Sequence, residues 1–238
     1  MNKILIAIFC AFLLVYPCSC STMDNGNAIQ YAITDMIYSR NNGSVSITYP
    51  QISGMENDSA ELKINNSIKT LALEVLGEFT SLDEMEIEVT YTITYCASDM
   101  MSLYFVVGSS HHAQAYPLVR VSSATYYCES GNSIELSEMV DISDDFITSF
   151  FDDSRICNDY YSDDDKKTVN EYVHSILSTD ELAHSASGLC SEVHGFLTDD
   201  SLIISVSVPK VMGSYVLYEA KYEEIGGVLK LSIPLPIV

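Results

Sequence analysis

Two adjacent histidines, His111-His112, stand between two apolar stretches, where a loop joining strands would place functional side chains. With His184 or His194 and nearby acids they could ligate a metal, yet neighbours on an extended loop point apart. No HExxH or CxxC spacing supports such a centre, so no metal or other cofactor is assigned. The plainer reading has one imidazole hydrogen-bonded to the loop backbone. Carboxylates are the second candidate chemistry. They crowd residues 135–165, from Glu135 through Asp144-Asp145 and Asp152-Asp153 to Asp163-Asp164-Asp165. A calcium loop needs alternating oxygen ligands around a turn glycine, which this run lacks, so a solvated helical face is expected. Nothing singles out a carboxylate pair for glycosidase chemistry. Nucleophilic catalysis has no GxSxG to rest on. Tyr126-Tyr127 and Tyr160-Tyr161 could stack on sugar rings in the absence of Trp, although Tyr also simply favours strands.

Sulfur is the third. Of seven cysteines, Cys10, Cys18 and Cys20 belong to the first twenty residues. There a basic start at Lys3 leads into an apolar run of 13 residues, 4–16, and then Pro17-Cys18-Ser19-Cys20 and a polar stretch. A spanning helix needs roughly 20 apolar residues, so this run reads as the core of an export signal. A cysteine after a small residue, followed by a polar tether, matches a bacterial lipoprotein cleavage site, with Cys20 as the lipidated residue. The expected organisation is a signal over 1–19, a tether over 20–27 and a single domain over 28–238, with a possible sub-division near residue 80. Localisation follows: outside the cytoplasm, on the outer face of a membrane, held by lipid only. The remaining Cys96, Cys128, Cys157 and Cys190 are an even set, as an exported disulfide framework would be. Sequence order favours Cys96–Cys128 and Cys157–Cys190, with three connectivities open. In a meander the first pair would be two strand spacings apart, beyond the roughly 7 Å Cα limit of a bridge. It can close only if both cysteines sit past the end of the sheet.

Charge narrows the partners. The 238 residues carry 11 Lys and Arg against 33 Asp and Glu, a formal charge of -22. Nucleic acid is excluded as a partner, because phosphate contacts need clustered cations. Unassisted docking on anionic lipid is excluded for the same reason. A cationic protein would be drawn in, less so in salt.

These groups need a scaffold. Residues 28–40 and 44–49 flank Asn41-Asn42-Gly43, a tight-turn signal, and predict a β-hairpin ended by Pro50. Asn57-Asp58-Ser59 offers helix caps for an amphipathic helix over 60–76, with Gly77 as its stop. Residues 85–95 alternate apolar and polar strictly, and 101–107 and 116–127 complete an antiparallel meander. Helical spacing marks Phe146, Ile147, Phe150 and Phe151, then Val169, Tyr172, Val173, Ile176 and Leu177. Strands return at 195–197, 202–208 and 215–222. The predicted class is α+β, an antiparallel sheet made of the meander and the C-terminal strands, packed with helices.

The order of short motifs adds a resemblance. Tyr49-Pro50-Gln51 precedes a helix carrying Ile64-Asn65; the alternating strand ends in Tyr91-Thr92-Ile93-Thr94-Tyr95. Ser109-Ser110-His111-His112 follows the next strand, Ser130-Gly131-Asn132 forms a turn, and Leu197-Thr198-Asp199-Asp200-Ser201-Leu202 opens a late strand. This series resembles the exported domain shared by the lysozyme-binding anti-sigma factor RsiV and the peptidoglycan deacetylase PdaC, over residues 47–231. The family's Gly-Gly-Ala-His reads here as Ser109-Ser110-His111-His112, or as Gly108-Ser109-Ser110-His111, so either histidine can hold the family position. The resemblance implies a ligand-binding envelope module without catalysis of its own. Its ligand would be a cationic protein such as lysozyme, or a cell-wall glycan fragment. The alternative is a glycan hydrolase or deacetylase-associated module using His111 or His112 with an acid from residues 135–165. Sequons at Asn42, Asn57 and Asn65 carry little meaning in a bacterial lipoprotein.

Overall fold

The computed structural model describes residues 31–111, 117–178, 182 and 193–233. The signal, the tether and Cys20, and likewise His112, His184 and Cys190, lie outside the described residues. Strands β1 (Ala32–Arg40) and β2 (Val45–Ser53) form the expected hairpin. Asn41, Asn42 and Gly43 between them all take positive φ, at 54°, 55° and 94°. Asn and Gly are the residues that tolerate that region, which is why this tripeptide turns the chain.

β2 runs through Pro50, where the sequence reading ended it. Even-numbered residues of β2 point their backbone groups away from β1 and toward β3, as the bond from Ile87 N to Ser44 O shows. The β2–β3 pairing covers only Val45–Ile47 against Ile87–Val89. Pro50 therefore presents its missing donor to a side that no strand occupies.

Helix α1 (Asp58–Leu73) starts where predicted: the Asn57 side chain accepts from Ser59 N at 3.1 Å and Ala60 N at 3.2 Å. Its Ile64, Ile68 and Leu71 are buried, each contributing roughly 2 kcal/mol. The helix carries the chain back across the sheet, so β3 (Met85–Cys96) lies parallel to β2. β4 (Met100–His111) and β5 (Leu118–Tyr127) complete the meander. The five-stranded sheet, in order β1-β2-β3-β4-β5, is thus mixed, whereas the sequence reading placed the meander and the C-terminal strands in one antiparallel sheet.

Helices α2 (Leu136–Met139), α3 (Asp144–Phe150) and α4 (Asp163–Ile176) follow. Then β6 (Val193–Leu197), β7 (Ser201–Ser207) and β8 (Tyr215–Lys221) form an antiparallel sheet of their own. The class is α+β, with the C-terminal strands separate from the meander. One core lies between α1 and the first sheet, built on Ile47, Ile87, Phe105 and Tyr126. A second lies under the three-stranded sheet, where Phe151 meets Phe150 at 5.3 Å and Tyr218 at 5.0 Å, edge to face. The two sheets meet at a polar seam. Leu197 N donates to Ser102 Oγ at 3.0 Å, Ser123 Oγ to Gly195 O at 2.9 Å, and Tyr104 stacks on Phe196 at 4.8 Å. That contact covers one half of the first sheet's outer face and leaves the other half open.

Candidate functional site

The open half is built by the strict alternation of β3. Its even positions face outward, so Glu86 and Glu88 stand exposed in a row that Glu84 extends before the strand begins. β4 supplies the neighbours through its register: Glu86 opposes Ser110, Glu88 opposes Gly108, and Met85 opposes His111. His111 Nε2 lies 2.8 Å from Glu84 Oε2, and Ser110 Oγ donates to Glu86 at 3.4 Å. The imidazole is 40 % exposed and the Glu84 carboxylate 72 %, so both reach water. Gly108 opposes Glu88, whose backbone oxygen would be in ordinary contact, at 3.7 Å, with an added Cβ. Three carboxylates and a histidine thus share one accessible ledge. It can form ion pairs and hydrogen bonds with a cationic surface, or with hydroxyl and amide groups.

His111 is the last residue of β4 rather than part of the loop expected from the sequence, and the acid beside it is Glu84, just before β3. The acids of residues 135–165 are spent on helix starts instead. Glu135 and Glu138 make a capping box, Asp144 and Asp145 occupy the first turn of α3, and Asp152 caps the turn Asp153–Arg155. Asp163, Asp164 and Asp165 fill the first turn of α4, where the Asp165 carboxylate accepts from Ser162 and is held below the ordinary carboxylate range. Carboxylates at a helix N-terminus meet unsatisfied N–H groups, which is the reason they gather there. Among the described residues, no three His, Cys, Asp or Glu are placed to hold a metal.

Other motifs turn out to be joints. The Asn65 side chain bonds both backbone groups of Ile52, accepting from its N at 2.8 Å and donating to its O at 2.8 Å. It closes the edge of β2 that β3 leaves unpaired, which links the Tyr49-Pro50-Gln51 and Ile64-Asn65 motifs. The same bonds bury the amide of that sequon. Gly131, at φ +71°, packs so closely on α1 that an added Cβ would lie 2.6 Å from Ala60 O. Lys63 and Asn57 bind the carbonyls of Ser130 and Glu129 beside it, at 3.2 and 2.8 Å. In the late motif, Thr198 and Ser201 close the β6–β7 turn, and Lys221 bonds Asp200, holding that carboxyl below its ordinary range.

Two solved structures share this fold. One is a DUF3298 family member from Bacteroides fragilis, with TM-score 0.55 and 11% identity over 89% of this chain and 97% of the other. The other is a DUF3298 family protein from Pseudomonas aeruginosa, with TM-score 0.51 and 9% identity over 87% and 97%. No family model and no curated protein matches the sequence itself.

The remaining candidates divide. Tyr126 is fully buried, its hydroxyl donating to Ser67 at 2.9 Å, so it is a core residue and not a sugar platform. Tyr160 is 56% exposed and packs on Tyr161 at 4.5 Å; the hydroxyls of both donate to Tyr215 O. Cys96, the last residue of β3, and Cys128, one residue past β5, come together around the hydroxyl of Tyr31, without a bond between them. Cys157 is elsewhere, beside Leu217 O in a recess of about 340 Å³ lined by Arg155, Glu219, Lys221 and Glu224. Burial pushes its thiol up to about 11.

Proposed function

We propose that this chain is an exported, lipid-anchored envelope protein whose RsiV/PdaC-like domain binds a ligand on the Glu84–Glu86–Glu88 ledge beside His111. Cys20 would carry the lipid, and the domain would sit on the outer face of the membrane. The ligand class is a cationic protein such as a lysozyme, with cell-wall glycan as the second source of hydroxyl and amide partners. The observation that carries the reading is the row of solvated carboxylates at Glu84, Glu86 and Glu88, next to His111 of the shared motif series. The likeness in fold to DUF3298 proteins supports it, as does the formal charge of -22, which speeds encounter with a cation.

Titration of the protein with lysozyme at low and moderate salt tests this. Saturable binding that survives moderate salt and weakens about tenfold in an E84Q/E86Q/E88Q variant is the expected result. Binding equal in the variant and the wild type would remove the ledge. Failure to bind any cationic muramidase or peptidoglycan fragment would remove the function. A second reading, hydrolysis of envelope glycan, draws on the His111–Glu84 pair, since a carboxylate-held imidazole is a general-base arrangement. Unchanged turnover in a His111→Ala variant would end it.

A further inference from the structure

The opposite end of β3 carries different chemistry. Cys96 is the last residue of β3, and Cys128 lies one residue past β5. Both face the hydroxyl of Tyr31, which is 3.2 Å from Cys96 Sγ, 3.9 Å from Cys128 Sγ and 3.4 Å from Ala97 O. The two sulfur distances cap the sulfur–sulfur separation at about 7 Å. The backbones beside both cysteines grip one turn: Ala97 N donates to Met100 O at 2.9 Å, and Cys128 N to Asp99 O at 2.7 Å. Cys96 still opposes Met101 of β4, but Cys128 lies past the end of β5, so the two side chains approach each other beside the β3–β4 turn.

We propose that Cys96 and Cys128 are an oxidisable pair, joined by a disulfide when the protein meets a disulfide-bearing oxidant, with Tyr31 as the positioning residue. The electrons balance by two exchanges. The Cys96 thiolate attacks one sulfur of the external disulfide, whose S–S bond breaks and releases one thiolate. Cys128, its proton passed to that thiolate, then attacks Cys96 sulfur and expels the second. Two protons and two electrons leave the protein, and the external disulfide becomes two thiols. Cys96 is the more exposed of the two, while burial pushes the Cys128 thiol up to about 11, so Cys96 attacks first. Burial holds the Tyr31 phenol well above its ordinary value, so it stays protonated within hydrogen-bond reach of both sulfurs and of Ala97 O, and keeps the two thiols facing one another.

The bond would fasten the β3–β4 turn to the end of β5. It would also fix the surroundings of Tyr31, the residue from which the chain leads back toward Cys20. This inference is independent of the ligand-binding reading, and its test involves no ligand.

The full chain is equilibrated in oxidised and in reduced glutathione buffers, digested without reduction and mapped by mass spectrometry. The expected result is a peptide linking Cys96 to Cys128 in the oxidised sample. Closing a loop of about 30 residues should raise the melting temperature by roughly 10 °C beyond any rise in a C96S/C128S variant. Recovery of both cysteines as thiols, or linkage of either to another cysteine, overturns the pair. In Tyr31→Phe the same link should form about tenfold more slowly, with the melting temperature of the reduced protein unchanged. An unchanged rate removes the role of Tyr31.

Discussion

At its start β3 exposes Glu86 and Glu88 to water, with Glu84 just before them; at its end Tyr95 enters the second core and Cys96 faces Tyr31 beside Cys128. A register shift between Ile93 and Tyr95 interrupts the two-residue period on the way from one end to the other. The covering differs as well. The three-stranded sheet docks at Ser102 and Tyr104 of β4 and stops there, so the charged end stays open. Charges can therefore vary at the open end at little energetic cost, while the closed end tolerates almost no change. Exposed ion pairs are worth about 0–1 kcal/mol, whereas buried aromatics and tight turns are worth several.

Substitutions should separate the two ends by size of effect. Tyr126→Ala removes a fully buried ring and should cost about 4 kcal/mol in urea unfolding; a loss under 1 kcal/mol would show that the closed end is not a packed core. Gly131→Ala forces a side chain into positive φ and against Ala60 O, with an expected loss of roughly 3 kcal/mol by the same measurement. Asn65→Ala strands both backbone groups of Ile52 and should cost roughly 2 kcal/mol. The E84Q/E86Q/E88Q change should move stability by less than about 0.5 kcal/mol while altering lysozyme binding, which would mark the open end as a surface for contact rather than support. Smallest of all is the effect at Asp200, whose carboxyl lies below its ordinary range because Lys221 bonds it. A carboxyl lowered on folding stabilises above its unfolded pKa. That contribution should fade as pH falls below about 4, and an Asp200→Asn variant should lack the dependence.

Much of the scaffold was legible because it rests on local rules. Asn41-Asn42-Gly43, the Asn57 cap and the alternation from Met85 onward each determine their own segment. Pro50 misled because its cost depends on a neighbouring strand, and no local pattern says that β3 pairs with only the first part of β2. The parallel β2–β3 contact was hidden for the same reason. At the site, His111 was visible as a residue, but its partner Glu84 was not. Register between β3 and β4 joins them, and the dense acids of residues 135–165 drew attention to helix starts. The signal that could have found Glu84 is the alternation itself, which puts Glu84, Glu86 and Glu88 on the outward face.

The narrow β2–β3 seam also has a kinetic meaning. Among the described residues, every other strand pair joins consecutive strands with no α-helix between them and can close early. The seam must wait for α1 to form and bring strands some forty residues apart into line, at the entropic cost of a long loop. Asn65 completes that seam from the helix, so docking of the helix and closure of the sheet edge are one event. Folding should therefore show the hairpin and meander forming first, with joining of the two as the slow step. Weakening Asn65 should therefore slow folding, the sign of an interaction already forming as the barrier is crossed.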